Sequence, residues 1–584
     1  MTARRAGASR PVLSRLARAC LAALAVLAVL AAAAASDLAL AADAAAPAAP
    51  VEPLRPPYLA PRSEGFSLPP VAPAAGGDAS LPAGPRVRIQ RVEFRAGRVI
   101  GTEALAAMAA PAVGQKLGAV EIEALRQRLT RQLIADGFVN SGVVLDGEPG
   151  ADGVLRFAVV EGHVQAVQAR GLERLGEAYV RERLVRAPDE VLDLNVLRER
   201  FQLLLDDPLI DHMNARLLPG EAPGEALLDI EVARARPYQL SVSYGNTRPP
   251  SIGADALGVA GWVRNLTGRG DLLEAGAQVS ARDGTGLRAN LGWHVPLNAR
   301  GTQLSVLLDH GRSAVVEEPL QVLDITSKID SKEVALSQTL VEHLDRKLSV
   351  GLSRVRRENR TWLLGEPFSF TVGEPSGVTR IWSWRFWQEF SYRTPRQVLA
   401  LRSTFSQART NLAEASELPF GSTPPAASYG VWLGQAQFAR QIDSERGTQV
   451  VARLTTQQTA HRLPALDQLS IGGAASVRGY RENQLIRDRG TILNLELDVP
   501  VARGADGLAF SLIPFYDIGR GRNQDEAAQT LSSAGLAARL RWHGFSLDLA
   551  VAKRLSHPDA VTRAGSTLQD QGVHLRLAYE FFGK

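Results

Sequence analysis

Ile471-Gly472-Gly473-Ala474-Ala475-Ser476-Val477-Arg478-Gly479-Tyr480-Arg481-Glu482 is the stretch that decides how the rest of the chain is understood. Its paired glycines suit a tight backbone with positive φ. Beyond them one cation, Arg478, stands between an apolar residue and a hinge glycine, with an aromatic, Tyr480, next. Alone, these letters describe an exposed loop arginine. The residues downstream change that. Thr491 to Val499 alternates as a strand, with Leu493, Leu495, Leu497 and Val499 on one face and Asn494, Glu496 and Asp498 on the other. In Ala509 to Gly519, Phe510, Leu512, Pro514, Tyr516 and Ile518 share one face, while Ser511, Phe515 and Asp517 share the opposite one. A loop arginine lying against that polar face can reach Asp517. At about 4 Å and an effective dielectric near 20 the pair attracts by roughly 4 kcal/mol before desolvation, enough to hold a loop and little enough for a competing contact to release it.

The alternation extends over residues 236–584. Leu240, Val242 and Tyr244 alternate with Ser241, Ser243 and Gly245; Leu287, Ala289, Leu291 and Trp293 alternate with Arg288, Asn290, Gly292 and His294. Phe545, Leu547, Leu549 and Val551 do the same against Ser546, Asp548 and Ala550. Such strands, separated by Gly, Asn and Asp turns, are the pattern of a transmembrane barrel, and at roughly 20 residues per strand and connection they make about 16 antiparallel strands. A mean hydropathy of −0.06 is compatible with this, because half of each barrel strand is polar. After the N-terminus no run of about 18 apolar residues is present, so the sequence offers no helix to cross a bilayer.

G-G-x-x-S-V-R-G-Y-R-E, an acidic strand, and then F-Y-D-I-G together resemble the outer-membrane transporters of two-partner secretion, the hemolysin secretion/activation proteins, which are relatives of the barrel-assembly insertases. The resemblance implies a loop folded back inside the barrel, with Arg478 held by Asp517. Gly472, Gly473, Ser476, Val477, Gly479 and Tyr480 would form the inward-loop motif, and Phe515 and Gly519 the barrel-wall motif. Asn265-Leu266-Thr267-Gly268-Arg269-Gly270-Asp271 resembles a turn between early strands of the same family. Val573 to Phe582, alternating and ending in aromatics, resembles a barrel-insertion signal, although Gly583 and Lys584 follow it.

The N-terminal part divides by composition. Residues 1–41 read as a secretory signal, with Arg4, Arg5, Arg10, Arg15 and Arg18 before an apolar centre and Ala39-Leu40-Ala41 for cleavage. Cys20, the single cysteine, falls inside it, so the exported chain is expected to carry no thiol, which suits an oxidising compartment. Residues 42–85 are an Ala/Pro-rich linker, with no amphipathic helix to serve as the pore plug found in the family. Residues 86–162 and 163–235 each follow the order strand, helix, helix, strand, strand. Expected strands are 87–94, 138–145, 154–160, 164–169, 215–218 and 226–232; expected helices are 103–108, 120–135, 177–185 and 194–205. Two such α+β units resemble the paired polypeptide-transport-associated (POTRA) domains of the family. A small sheet with a free edge can accept an unfolded client as an added strand.

Other chemistry finds little support. The net charge of +5 is small and its basic residues are scattered, so nucleic acid is not an expected partner. The 9 histidines are dispersed without metal-ligand spacing, and neither a nucleophile elbow nor a phosphate-binding loop occurs, so no metal, cofactor or enzymatic activity is expected. Trp382, Trp384, Phe386, Trp387 and Phe390 read as an interfacial girdle. Arg354, Arg356 and Arg357 read as a loop, lumen or lipopolysaccharide contact. The expected function is an outer-membrane pore of a Gram-negative bacterium, moving a large unfolded adhesin- or hemolysin-like partner from periplasm to cell surface. Outer-membrane lipid, lipopolysaccharide and, during biogenesis, the barrel-assembly machinery are its other expected partners. Alternatives are a barrel-assembly factor, which shares the loop motif, and a passive porin, which needs no periplasmic modules.

Overall fold

The computed structural model describes residues 86–95, 97–147, 152–281, 286–318, 320–414, 424–556 and 567–582. The expected signal and linker, and the two residues after Phe582, lie outside these. The first module is a three-stranded sheet of β1 (Arg91–Arg95), β2 (Gly142–Leu145) and β3 (Val154–Val160), with β3 central, parallel to β1 and antiparallel to β2. Helices α1 (Glu103–Ala109) and α2 (Ala119–Ala135) cover it. Ile122, Leu125, Leu129 and Leu133 recur at helical spacing along α2 and are buried with Leu155 and Phe157. Gly137, at φ +106°, ends α2 where a side chain would be strained.

Two expected strands are shorter than their pattern. The run Val87 to Phe94 changes partner at buried Ile89, whose N–H donates to Gln115 O at 2.9 Å while its own carbonyl accepts from Gly114. Val87–Arg88 therefore pairs with Lys116–Leu117, and only β1 joins β3. The run from Phe138 begins its strand at Gly142, because Asn140 turns toward the next module and donates to Gly224 O (2.7 Å) and His163 O (3.2 Å).

The second module repeats the order with β4 (His163–Arg170), α3 (Glu177–Leu184), α4 (Leu194–Leu205), β5 (Ile210–Pro219) and β6 (Glu225–Arg234). Its sheet has the same plan, β6 central, parallel to β4 and antiparallel to β5. Asp193 caps α4 by accepting from Asn195 N–H at 2.8 Å. Glu190 receives both arms of Arg200, at 2.6 and 2.9 Å, and the Arg186 N–H. Burial pushes its carboxyl up, but Arg200 and the Arg186 N–H outweigh this and hold it below the usual carboxylate range.

The remaining chain closes into a barrel of 16 antiparallel strands: β7 (Tyr238–Gly245), β8 (Ala256–Arg264), β9 (Leu272–Ser280), β10 (Leu287–Pro296), β11 (Thr302–Ala314), β12 (Thr326–Glu342), β13 (Arg346–Leu363), β14 (Val378–Thr394), β15 (Gln397–Thr410), β16 (Ser428–Gln441), β17 (Gln449–Gln458), β18 (Arg489–Arg503), β19 (Ala509–Arg522), β20 (Gln529–Trp542), β21 (Phe545–Arg554) and β22 (Val573–Phe581). β22 pairs with β7 from Arg576↔Gly245 to Phe581↔Leu240, so the sheet has no free edge. Alternation decides which side each residue takes. On β13, Leu352 and Arg354 are exposed while Ser353, Val355 and Arg357 are buried toward the lumen. Connections at the end nearer the modules are two to seven residues long, and those at the other end six to thirty, the asymmetry of periplasmic turns and extracellular loops.

The girdle expectation needs one correction. Trp384 and Phe386 are exposed on the outer face of β14, but Trp387 alternates inward, stacking under Arg402 at 4.9 Å and filling the space over Gly351. The second module docks beneath the barrel on the turn 265–271. Gly176 N–H donates to Gly268 O at 3.0 Å, and a Cβ on Gly270 would stand 2.3 Å from the Tyr179 ring, so glycine is what permits this approach. Asp271, fully buried, fixes the turn by accepting from Thr267 and Trp293.

Candidate functional site

The longest connection, residues 459–488 between β17 and β18, does not leave the barrel but turns down into it. Leu469–Ile471 pairs with Leu485–Arg487 as a short hairpin, and the quoted motif forms its tip. Gly472 (φ +111°) and Gly473 (φ +105°) make the bend, so the glycine pair is needed for the backbone conformation the sequence indicated. Ser476 Oγ accepts from Gly472 N–H at 2.8 Å, closing the bend from within.

Arg478 is thereby delivered to the wall. Its Nε and Nη2 donate to the two oxygens of Asp517 at 2.7 and 2.8 Å, a bidentate clasp, and its backbone N–H adds a third bond at 3.1 Å. Asp517 is 0 % exposed and Arg478 9 %. Asn494 donates to Asp517 at 2.8 Å and also holds Ser476 O. Two more residues meet Arg478 that the sequence placed on the strands, Phe515 as a barrel-wall motif residue and Glu496 on a polar face, without pairing either with the arginine. Glu496 receives Arg478 Nη1 at 2.8 Å and is shared with Arg453, which donates to it at 3.0 Å through each Nη. Phe515 lies flat under the guanidinium, 3.6 Å from ring centroid to Cζ. Register explains the cluster: Asn494 stands opposite Asp517 and Glu496 opposite Phe515, so two adjacent strands present four inward side chains to one loop residue. Burying one cation among two carboxylates is tolerable because each is hydrogen-bonded; removing one partner from such a site costs roughly 3–5 kcal/mol.

The other motif residues set the contact. A Cβ on Gly519 would stand 2.4 Å from Ile471 and 2.9 Å from Val477, so the bare glycine lets the loop lie flush against β19. Val477 is buried with Ile471, Tyr480, Leu485, Ile492 and Leu531. Gly479, at φ +91°, donates to Nε2 of buried His574 at 3.0 Å, which places the proton on Nδ1. Arg554 donates to Gly479 O at 2.6 Å, and Tyr480 OH donates to Ser532 O at 2.9 Å. His574 lies 95 positions away on the closing strand, and no local motif links it to the loop.

Two further anchors stretch the loop across the lumen. Arg481 grips Asp570 at 2.6 and 3.0 Å and Glu317 at 2.7 Å, tying the tip to two extracellular connections. On the opposite limb, Asp467 takes Arg357 at 2.6 Å and Tyr429 OH at 2.5 Å, beside buried Leu463 and Leu466. Of the arginine cluster, Arg357 alone is therefore a lumen residue; Arg354 and Arg356 face outward.

Comparison with known proteins agrees with this geometry. Residues 87–162 match the POTRA domain, ShlB-type. The outer membrane transporter CdiB of Dickeya dadantii (strain 3937) is 20 % identical over 418 residues, covering 71 % of this chain and 73 % of that one. The fold is that of two solved structures. CdiB from Escherichia coli superposes with a TM-score of 0.67 at 19 % identity, over 88 % of this chain and 93 % of that one. CdiB from Acinetobacter baumannii gives 0.60 at 13 % identity, over 86 % and 91 %. The curated relative is described as an outer membrane transporter and not as an assembly factor, and the assembly alternative is not favoured. Residues 224–542, more than half of the sequence and including the whole clasp, match the family described as haemolysin secretion/activation protein ShlB/FhaC/HecB, and to that family of outer-membrane transporters the chain belongs.

Proposed function

We propose that this chain is the outer-membrane pore for a secreted partner, and that the clasp on Arg478 holds the lumen loop until the partner displaces it. An unfolded adhesin- or hemolysin-like chain would add to a free sheet edge of the periplasmic modules through backbone hydrogen bonds. It would then enter the lumen, where the loop now lies, and exchange its own contacts for those of the loop. Folding of the exported chain outside supplies direction without a nucleotide. Within this reading, residues 86–162 and 163–235 are a tandem pair of POTRA-like domains. The barrel-assembly machinery inserts the chain through its closing strand β22, and lipid and lipopolysaccharide surround it.

The carrying observation is the bidentate Arg478–Asp517 pair, buried in the lumen and backed by Glu496. Its strength suits a latch: strong enough to order the loop, and local enough to break at one place. Arg478→Glu or Asp517→Arg would leave like charges facing each other, so secretion of the partner should fall sharply while the barrel still inserts, as heat-modifiable gel mobility would show. Wild-type secretion from both single reversals would remove the role.

A further inference from the structure

Positive charge is concentrated on the lipid side of β12, β13 and β14, toward their extracellular ends. Along β13 the outward residues after Arg346, at the end nearer the modules, run Leu348, Val350 and Leu352 and continue as Arg354, Arg356, Glu358 and Arg360. Leu352 is 48 % exposed on that face, which fixes its direction. Register spreads the row sideways: Lys332 stands opposite Arg356, Lys328 opposite Arg360, and Arg380 opposite Glu358. Just below the row, Val334 and Trp384 flank Arg354, and Leu336 and Phe386 flank Leu352, all exposed. Arg354 lies 5.2 Å over the Trp384 ring.

The acids on this face do not balance it. Glu358 is shared among Arg360 (2.5 Å), Arg380 (3.1 Å) and Arg356 (3.4 Å). Asp330 is taken by His310 at 2.7 Å and Lys328 at 3.8 Å. Lys332 and Arg354 have no ion pair among the described residues. Cations on a barrel's lipid face are costly near the bilayer centre and tolerated only near its surface. Here they begin where the apolar band ends, as a ligand with an anionic head and apolar tails would require.

We propose that this face binds the phosphorylated headgroup of an outer-leaflet glycolipid, lipopolysaccharide, its phosphates on Lys332, Arg354 and Arg356 and its acyl chains along Leu336, Leu352 and Phe386. The inference rests on the outer-membrane placement proposed above. Planar guanidiniums pair with phosphate in bidentate fashion, and the apolar residues directly below favour a lipid over a soluble anion. None of the three cations touches the lumen loop, so binding is separable from secretion.

The chain purified in detergent from outer membranes would be titrated with bisphosphorylated lipid A, dephosphorylated lipid A and phosphatidylglycerol, with occupancy read by native mass spectrometry. Bisphosphorylated lipid A is expected to bind best. The triple variant Lys332→Gln, Arg354→Gln, Arg356→Gln should bind it about a hundredfold more weakly, at roughly fivefold per charge near an anionic surface. Glu358→Gln, which frees three guanidiniums and keeps the strand intact, should bind it more tightly. Equal affinity for wild type and triple variant would overturn the proposal, as would equal affinity for phosphatidylglycerol, or unchanged binding by Glu358→Gln should the triple variant not fold. Failure of the wild-type chain to fractionate with outer membranes would instead overturn the functional reading beneath it.

Discussion

At the scale of single residues the clasp shows what one sequence discloses. Arg478 and Asp517 were legible because each sits in a short motif and because alternation assigns Asp517 to the polar side of its strand. The third member, Glu496, belongs to the polar face of Thr491 to Val499, but only the strand register, which puts it opposite Phe515, brings it to Arg478. His574 was not legible at all, since nothing local marks a histidine on β22 as the acceptor for Gly479. Gly519 carries a prediction of its own. Replacing it by alanine puts a methyl 2.4 Å from Ile471, and overpacking a buried contact costs roughly 1–3 kcal/mol. Limited proteolysis of the lumen loop should be faster in Gly519→Ala, with the barrel itself still resistant; equal protection would mean that the wall does not need the glycine.

Among elements, the helices were the easiest to see. Glu177 to Leu184 and Leu194 to Leu205 fall where apolar spacing puts them, because each buries one stripe on a small sheet. Strand ends were harder. Ile89 and Asn140 divert their segments through hydrogen bonds to distant residues, and that information is tertiary. Trp387 was misplaced for a simpler reason: an aromatic cluster was read as one girdle although its members differ in parity along β14. The α4 segment offers a pH test. The Glu190 carboxyl is held below its ordinary range by Arg200, so the stability it lends the second module is present above the unfolded-state value and is lost as pH falls through the lower, folded one. Protection factors for hydrogen exchange over residues 186–205 of the solubilised chain, taken relative to the intrinsic rate at each pH, should fall on acidification into and below the carboxylate range. Glu190→Gln should exchange fast already at neutral pH, and indistinguishable profiles would exclude the ion pair as a contributor.

For the whole molecule, the barrel was foreseen from alternation and length, and the 16 closed strands agree with the count expected. The lumen loop's path was not foreseen beyond its tip. Its far anchor, Asp467 on Arg357 and Tyr429, joins residues with no shared motif. The loop thus bridges the pore between two walls, and under the proposed function a transported chain must move it. A reversible lock reads this directly, helped by the absence of any cysteine after Cys20. A Cβ on Gly519 would stand 2.9 Å from Val477 Cγ2, near enough for a disulfide between cysteines introduced at both positions, with Ile471→Ala making room. Secretion of the partner would be measured in that variant under oxidising and then reducing conditions. It should stop when the loop is bound covalently to β19 and resume on reduction; undiminished export through the oxidised form would show that the loop need not move.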